Sequence, residues 1–332
     1  MESKTKRRLT TAQLEELILE ATGTGVTSTE ELTDGFANAV WRIALADGRQ
    51  VVLKAAPPPD LPQLRYEREL LRTEAMVYHL ATPAGVPLAR LLHSAFDHPR
   101  LGGDFLVLSA LDGVPWNQAT GLSDADQAAL RHELGAHLAR LHTIPGEGVF
   151  GYPYAGLTGP TWRDAFLVMT GALLDDAVRY ETTLPCSLLD IAAAVHGDAH
   201  LLEEVTAPVL VHADVWPGNV FLTPPSAGRP RIQAIIDLER AFWGDPLADF
   251  VTPTIFGELR EDDPIVAGYR QAGGVLEFTP QARRREAMYR VYLYLLMLIE
   301  ETPRGYPEES YRRIRDLSTE GLTQSLAYLR QR

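Results

Sequence analysis

The stretch LVHADVWPGNVFL, residues 210–222, sets a His, an Asp and an Asn between two apolar runs. It reads as a short strand, a tight turn and a second strand, with Pro217 and Gly218 forcing the turn. Further on, the buried run QAII ends at Asp237. A strand cannot leave a charge at the end of its core without a partner. Two carboxylates and an amide oxygen are hard ligands suited to magnesium, which prefers oxygen donors and keeps substrate phosphates in its shell. Taken singly, Asp214 and Asn219 have a plainer reading as Asx-turn residues and Asp237 as a helix cap. Those readings do not account for the order and spacing of the three.

The spacing His212-x-Asp214-x-x-x-x-Asn219 is that of a phosphoryl-transfer loop, in which the Asp accepts the hydroxyl proton and the Asn holds metal. Such a loop needs a cation on the phosphate side. VVLK, residues 51–54, ends a strand at Lys54. On the plain reading Lys54 lies at the surface; in a phosphate site it projects inward and needs a carboxylate to hold it. Glu74 on the next helix is preferred over Glu67 and Glu69, because it is embedded in an apolar stretch and they flank Arg65 and Arg68.

Around these motifs the chain reads as two unequal parts. TTAQLEELILEAT (10–22) is a helix with Leu14, Leu17 and Ile18 on one face behind Thr10 or Thr11 as cap. ANAVWRIALADGRQVVLKAAPPP (37–59) is a hairpin turning at Asp47-Gly48, stopped by Pro57 to Pro59. PQLRYERELLRTEAMVYHLA (62–81) predicts one long helix with Leu70, Leu71, Val77 and Leu80 on its apolar side. DFLVLSALDGVPW (104–116) predicts a buried strand and a turn, and LSDADQAALRHELGAHLARLHTIPG (122–146) a capped helix. Further helices are expected near 161–180, 187–205, 264–273, 280–301 and 307–330. The boundary falls after the strand, giving a nucleotide-binding lobe over 1–109 and a catalytic and acceptor-binding lobe over 110–332.

Composition narrows the partners. With 332 residues and 45% hydrophobic content the chain is long enough for a sizeable core. A net charge of −13 argues against nucleic acid, whose phosphates demand a basic face. It could draw in a cationic small molecule, or serve only solubility. The single cysteine, Cys186, permits no internal disulfide. No run approaches a membrane span and MESKTKRRLT lacks the apolar core of a signal peptide, so a cytoplasmic protein with no membrane partner, monomer or homodimer, is expected.

The stretches DGFANAVWRI with VVLK, RTEAMVYHLA, DFLVLSALDG, LGAHLARLHTI, VHADVWPGNVFL and IIDLERAFWGDPLADF occur in the order found in the aminoglycoside phosphotransferase and protein-kinase-like superfamily. The chain resembles that family from about residue 32 to 270, and PTWRDAFLVM (160–169) is similar to a segment of the hygromycin-type enzymes. The resemblance implies a bilobal α+β fold, with a small β-rich N-lobe carrying one long helix and a larger, mostly helical C-lobe. It implies transfer of the γ-phosphoryl group of ATP or GTP, with Mg2+, to a small-molecule hydroxyl acceptor. An antibiotic is the first expectation, and an amino-alcohol or glycated amine the alternative. Asp214 would be the base, Asn219 and Asp237 the metal ligands, and Lys54 the phosphate anchor fixed by Glu74. Asn38 would meet phosphate, Ser109 to Leu111 would be the purine-binding hinge, His212 would brace the loop, and Asp249 would support it. The loop TDGFANAVW (33–41) has one glycine rather than three, and neither an Asp-Phe-Gly nor an Ala-Pro-Glu motif occurs, which argues against a protein substrate. A non-catalytic nucleotide-binding module would have lost one of Lys54, Asp214, Asn219 or Asp237. A metal-dependent hydrolase would need His ligands at a metal spacing that His196, His200 and His212 lack.

Overall fold

The computed structural model describes residues 6–32 and 38–331. Most of the expected phosphate loop, Gly35 included, lies outside the described residues.

Helix α1 (Thr11–Thr22) opens the chain, with Thr10 and Gln13 forming a reciprocal cap. Strands β1 (Val26–Leu32), β2 (Ala39–Leu45) and β3 (Gln50–Ala55) follow, then helix α2 (Leu70–Ala81) and strands β4 (Leu91–His98) and β5 (Gly103–Ser109). The five strands form one antiparallel sheet in the order β1-β2-β3-β5-β4. Strand alternation gives this sheet two different faces. Val51, Leu53, Ala55, Phe105 and Val107 pack with Leu14, Leu17 and Ile18 of α1. The intervening Val52, Leu106 and Leu108 face α2 and the larger core.

After β5 come β6 (Val114–Pro115), α3 (Asp124–Leu141), β7 (Phe150–Tyr152), β8 (Leu157–Gly159), α4 (Trp162–Arg179) and α5 (Leu188–Asp198). Strands β9 (Val209–Val211), β10 (Val220–Leu222), β11 (Ile232–Ile235) and β12 (Phe242–Gly244) carry the site, and α6 (Pro264–Gln271), α7 (Pro280–Arg304) and α8 (Glu308–Arg330) complete the chain. One large cluster joins the helices of this second part to α2 through Leu70, Val77, Tyr78 and Ala81. No helix among the described residues is long and apolar enough to cross a membrane.

Two local expectations are corrected. The helix expected over 62–81 begins at Leu70: Arg65–Glu67 is a 3-10 turn, Arg68 is extended, and Glu69 takes a left-handed φ of 55° that ends any helical run. Leu80 is 39% exposed, because the buried face of α2 runs through Leu70, Leu71, Ala75, Tyr78 and Ala81. The expected strand, tight turn and strand over 210–222 are present, and the two strands lie in different sheets. β9 pairs with β12 while β10 pairs with β11 and β6, so the loop between them passes from one small sheet to another.

Candidate active site

Lys54 lies on the α2-facing side of β3, opposite Val40 and Leu106 in the ladder, and is 5% exposed. Its ammonium donates to Glu74 Oε2 at 2.8 Å and to Asp237 Oδ1 at 2.6 Å, with Glu239 Oε2 at 3.8 Å. Burial works against the charged lysine, but Asp237, Glu74 and Glu239 together raise its pKa well above the usual value. Glu67, the rejected alternative to Glu74, bonds to Arg304 instead.

The loop 212–219 is held from behind. Asp249, fully buried, accepts the amide of His212 at 2.9 Å and that of Ala213 at 2.6 Å, and lies 2.9 Å from His142 Nε2. These bonds stabilise the left-handed φ of 66° at Ala213, a conformation that a side chain disfavours. His212 Nδ1 accepts the Asp214 amide and its Nε2 faces the Ile236 carbonyl at 3.0 Å, which assigns the ring proton to Nε2 and gives the histidine a bracing place. Asn219 Nδ2 donates to Asp214 Oδ2 at 3.1 Å and to the Asp214 carbonyl at 2.9 Å, leaving Oδ1 as a free oxygen donor. Burial lifts the Asp214 carboxyl to about 6, against the pull of Arg240 and His212.

The β10–β11 ladder brings the third group in. Val220 pairs with Ile235, and the Ile236 amide donates to the Asn219 carbonyl at 2.9 Å, so Asn219 and Asp237 flank one hydrogen bond. Asp237 has a φ of 60°, which turns the chain sharply out of β11. Burial would raise its pKa, but Lys54 holds it below the usual carboxylate value. Two neighbours complete the cluster. Glu239 is buried, bonds to Asn38 Nδ2, and is pushed up to about 8 by burial and by Asp237 and Glu74, against Lys54. Arg240 lies 3.9 Å from Asp214 Oδ2 and 3.0 Å from Glu300 Oε2. The short motif IDLER was their only signal.

Glu74, Asp237 and Glu239 thus crowd around one ammonium, and the raised Glu239 carboxyl reflects burial together with that crowding, which a bound divalent cation would relieve. Among the described residues no group of three His, Cys, Asp or Glu side chains is arranged as a closed metal cage. Magnesium is held by one or two protein ligands and completes its shell with phosphates and water.

Over residues 109–111, the Ser109 amide bonds to the Arg90 carbonyl, the Ala110 amide to the Gln50 carbonyl, and Arg42 donates to the Leu111 carbonyl. The Ala110 carbonyl and Leu111 amide keep no backbone partner among the described residues. Asn38 is 3% exposed, and its Oδ1 has no hydrogen-bond partner among the described residues. A groove of about 790 Å3 runs along the start of α2 past Asn38 and Glu67, but neither Lys54 nor Asp214 lines it. The acidic residues of the larger part are mostly neutralised. Asp175 pairs with Arg65, Asp262 with Arg260, Asp263 with Arg131, Glu261 with Arg270, Glu300 with Arg240 and Glu301 with Arg315.

Residues 28–289 match the model of the phosphotransferase enzyme family. Among solved structures, a candidate fructosamine-3-kinase from Thermobifida fusca YX-ER1 superposes with a TM-score of 0.68 at 19% identity, covering 95% of this chain and 100% of that one. A thermostable mutant of the aminoglycoside phosphotransferase APH(4)-Ia, in ternary complex with AMP-PNP and hygromycin B, gives 0.61 at 18% identity, over 96% and 99%. The macrolide 2'-phosphotransferase MphH from Brachybacterium faecium gives 0.58 at 17% identity, over 96% and 97%. These likenesses show the bilobal kinase-like α+β fold. The mouse protein Acyl-CoA dehydrogenase family member 10 is 25% identical over 270 residues, which are 77% of this chain; the chain spans only 23% of that relative's length.

Proposed function

The chain belongs to the phosphotransferase enzyme family, and from that premise we propose that it moves the terminal phosphoryl group of ATP or GTP to a hydroxyl of a small molecule. The observation that carries this reading is Lys54, buried and bonded at once to Glu74 and to Asp237. Lys54 binds the phosphate oxygens, Glu74 holds it there, and Asn38 meets the phosphates from the strand above. The Ala110 carbonyl and Leu111 amide, beside Ser109, receive the purine edge. The small lobe over 1–109 holds the nucleotide and the rest of the chain the acceptor.

Asn219 Oδ1 and Asp237 would hold magnesium, which neutralises charge on the transferring phosphates. Phosphoryl transfer has a loose transition state, so positioning and charge dominate over covalent chemistry. Asp214 orients the incoming hydroxyl and takes its proton late, while Asn219 Nδ2 and Arg240 hold the carboxylate in place.

The arginine pairing of the acidic residues favours an uncharged or weakly charged acceptor, antibiotic or metabolite, over a polycationic aminoglycoside. Among the described residues these paired carboxylates do not offer a polycation a free acidic wall. The test is a phosphorylation assay with magnesium and both nucleotides over aminoglycosides, macrolides, glycated amines and amino-alcohols, read by mass spectrometry. A product one phosphoryl group heavier than its acceptor is expected. Nucleotide binding without turnover on any compound would make the chain a non-catalytic module.

A further inference from the structure

A row of alternating buried charges leads away from the site and ends on the segment before α2. Asp214 Oδ2 lies 3.9 Å from Arg240 Nε, Arg240 Nη2 lies 3.0 Å from Glu300 Oε2, and that same oxygen lies 3.4 Å from Arg304 Nη2. Arg304, at the end of α7, closes on Glu67. The second Glu67 oxygen accepts the Leu64 amide at 2.7 Å. The side chains of Arg304, Glu67 and Glu300 are 2%, 6% and 7% exposed. At that depth an ion left without its partner is strongly unfavourable, so the row stands or falls as a unit.

The segment is tied down elsewhere too. The Arg65 amide donates to Asp176 Oδ2 at 2.7 Å, Tyr180 OH donates to the Gln63 carbonyl at 2.9 Å, and the Tyr66 and Tyr152 rings meet at 5.8 Å. Leu64 and Tyr66 are buried in the large core. A connection that only had to join β3 to α2 would need none of this, since loops ordinarily run over the surface. Here residues 63–67 dock onto α4 and α7, and the helix that carries Glu74 starts directly beyond them.

We propose that Arg304 is a positioning residue for phosphoryl transfer: by gripping Glu67 it keeps α2, and with it the Glu74–Lys54 pair, in fixed register with the catalytic loop. The phosphate anchor is thereby preformed rather than assembled when nucleotide arrives. The kinetic meaning rests on the phosphotransferase reading above; the mechanical part rests on the contacts alone.

The test uses the full chain as wild type, Arg304→Met and Arg304→Lys, with two readouts: amide hydrogen exchange without ligand, and the dissociation constant for magnesium-ATP by calorimetry. In Arg304→Met, exchange should quicken across 64–78 while α1 and α8 keep wild-type rates. The magnesium-ATP constant should rise roughly tenfold, the scale of coupling carried by such networks. Arg304→Lys, which keeps the charge, should recover most of both. A merely structural arginine would lower the melting temperature and leave 70–78 and the binding constant alone. Unchanged exchange over 70–78, or a constant within about twofold of wild type, overturns the proposal. Should Arg304→Met fail to fold, Glu67→Gln/Arg304→Met removes both buried charges and is read the same way. A wild-type chain that does not bind magnesium-ATP would refute the nucleotide reading, and the exchange data would then decide the positioning role by themselves.

Discussion

Lys54 and Asp237 stand 183 positions apart in the chain and 2.6 Å apart in the fold. One comes from the central sheet of the small lobe, the other from the end of β11 in the large one. Glu74 holds the same ammonium at 2.8 Å. On the proposed reading an incoming phosphate competes for the lysine with the partly exposed Asp237 rather than with the fully buried Glu74. Asp237, with Asn219, would hold the magnesium that neutralises the phosphates of a nucleotide shared by the two lobes.

Lys54→Met should lower turnover by ~10² to 10³, the usual loss when one charge-stabilising donor is removed from a water-poor site. Initial rates on the acceptor found in the panel measure it. The variant should fold, because Glu74 and Asp237 can take up protons once the ammonium is gone. Turnover near the wild-type rate would remove Lys54 from the phosphate site.

Asp214→Ala should cost ~10² to 10⁴ in turnover, as expected for a positioned general base. Nucleotide affinity should stay close to wild type, since on the proposed reading Asp214 meets the acceptor hydroxyl and not the phosphates. A variant that loses nucleotide binding in proportion to its rate would assign Asp214 to the phosphates instead.

The pH dependence follows from the same carboxyl. Burial raises Asp214 to about 6, so it is ionised and able to take a proton at neutral pH and becomes protonated as the pH falls through 6. Activity should be level above that point and fall about tenfold per pH unit below it, for a single essential base. Rates across pH 5 to 8, with stability checked separately at each pH, measure it. An acid limb displaced to about 4, the ordinary carboxylate value, would show that Asp214 is solvated in the working enzyme.

Asp249→Ala should act through structure. It strips the acceptor from the His212 and Ala213 amides and the partner from His142, all buried. Each buried polar group left unmade costs about 1–3 kcal/mol, so a clear drop in melting temperature is expected together with loss of turnover. A variant that melts like wild type would mean that the Ala213 conformation is held by something else.

The parts legible in the sequence are those whose partners lie close along the chain or whose chemistry is unusual for their place. His212, Asp214 and Asn219 share one loop, and Asp237 ends an apolar strand. Glu74 was separable from Glu67 and Glu69 because a carboxylate amid apolar neighbours demands a buried cation. The start of α2 was not legible. Residues 62–69 have helical composition, but Glu67 spends its side chain on Leu64 and Arg304, and docking onto the large lobe outweighs local propensity. Arg240 and Glu300 look like surface charges on a one-dimensional reading, and only the fold makes them partners of each other and of Asp214.

Gly135→Ala tests how far the catalytic loop depends on packing behind it. Helices α3 and α6 approach so closely that a Cβ at Gly135 would lie 2.0 Å from the Ile265 carbonyl, and one at Gly268 would lie 1.9 Å from the His132 carbonyl. Both obstacles are backbone, which cannot rotate aside, so the helices must separate. Overpacking of this kind costs roughly 1–3 kcal/mol. The displacement has a route to the chemistry, because α3 ends at Leu141 and the next residue, His142, lies 2.9 Å from Asp249. Gly135→Ala should therefore melt earlier than wild type and lose part of its turnover, but less than Asp249→Ala, which removes the contact outright. Thermal melts and initial rates on both variants, taken well below either melting temperature, make the comparison. A Gly135→Ala chain that melts normally would mean that α3 and α6 have slack where the structure shows none.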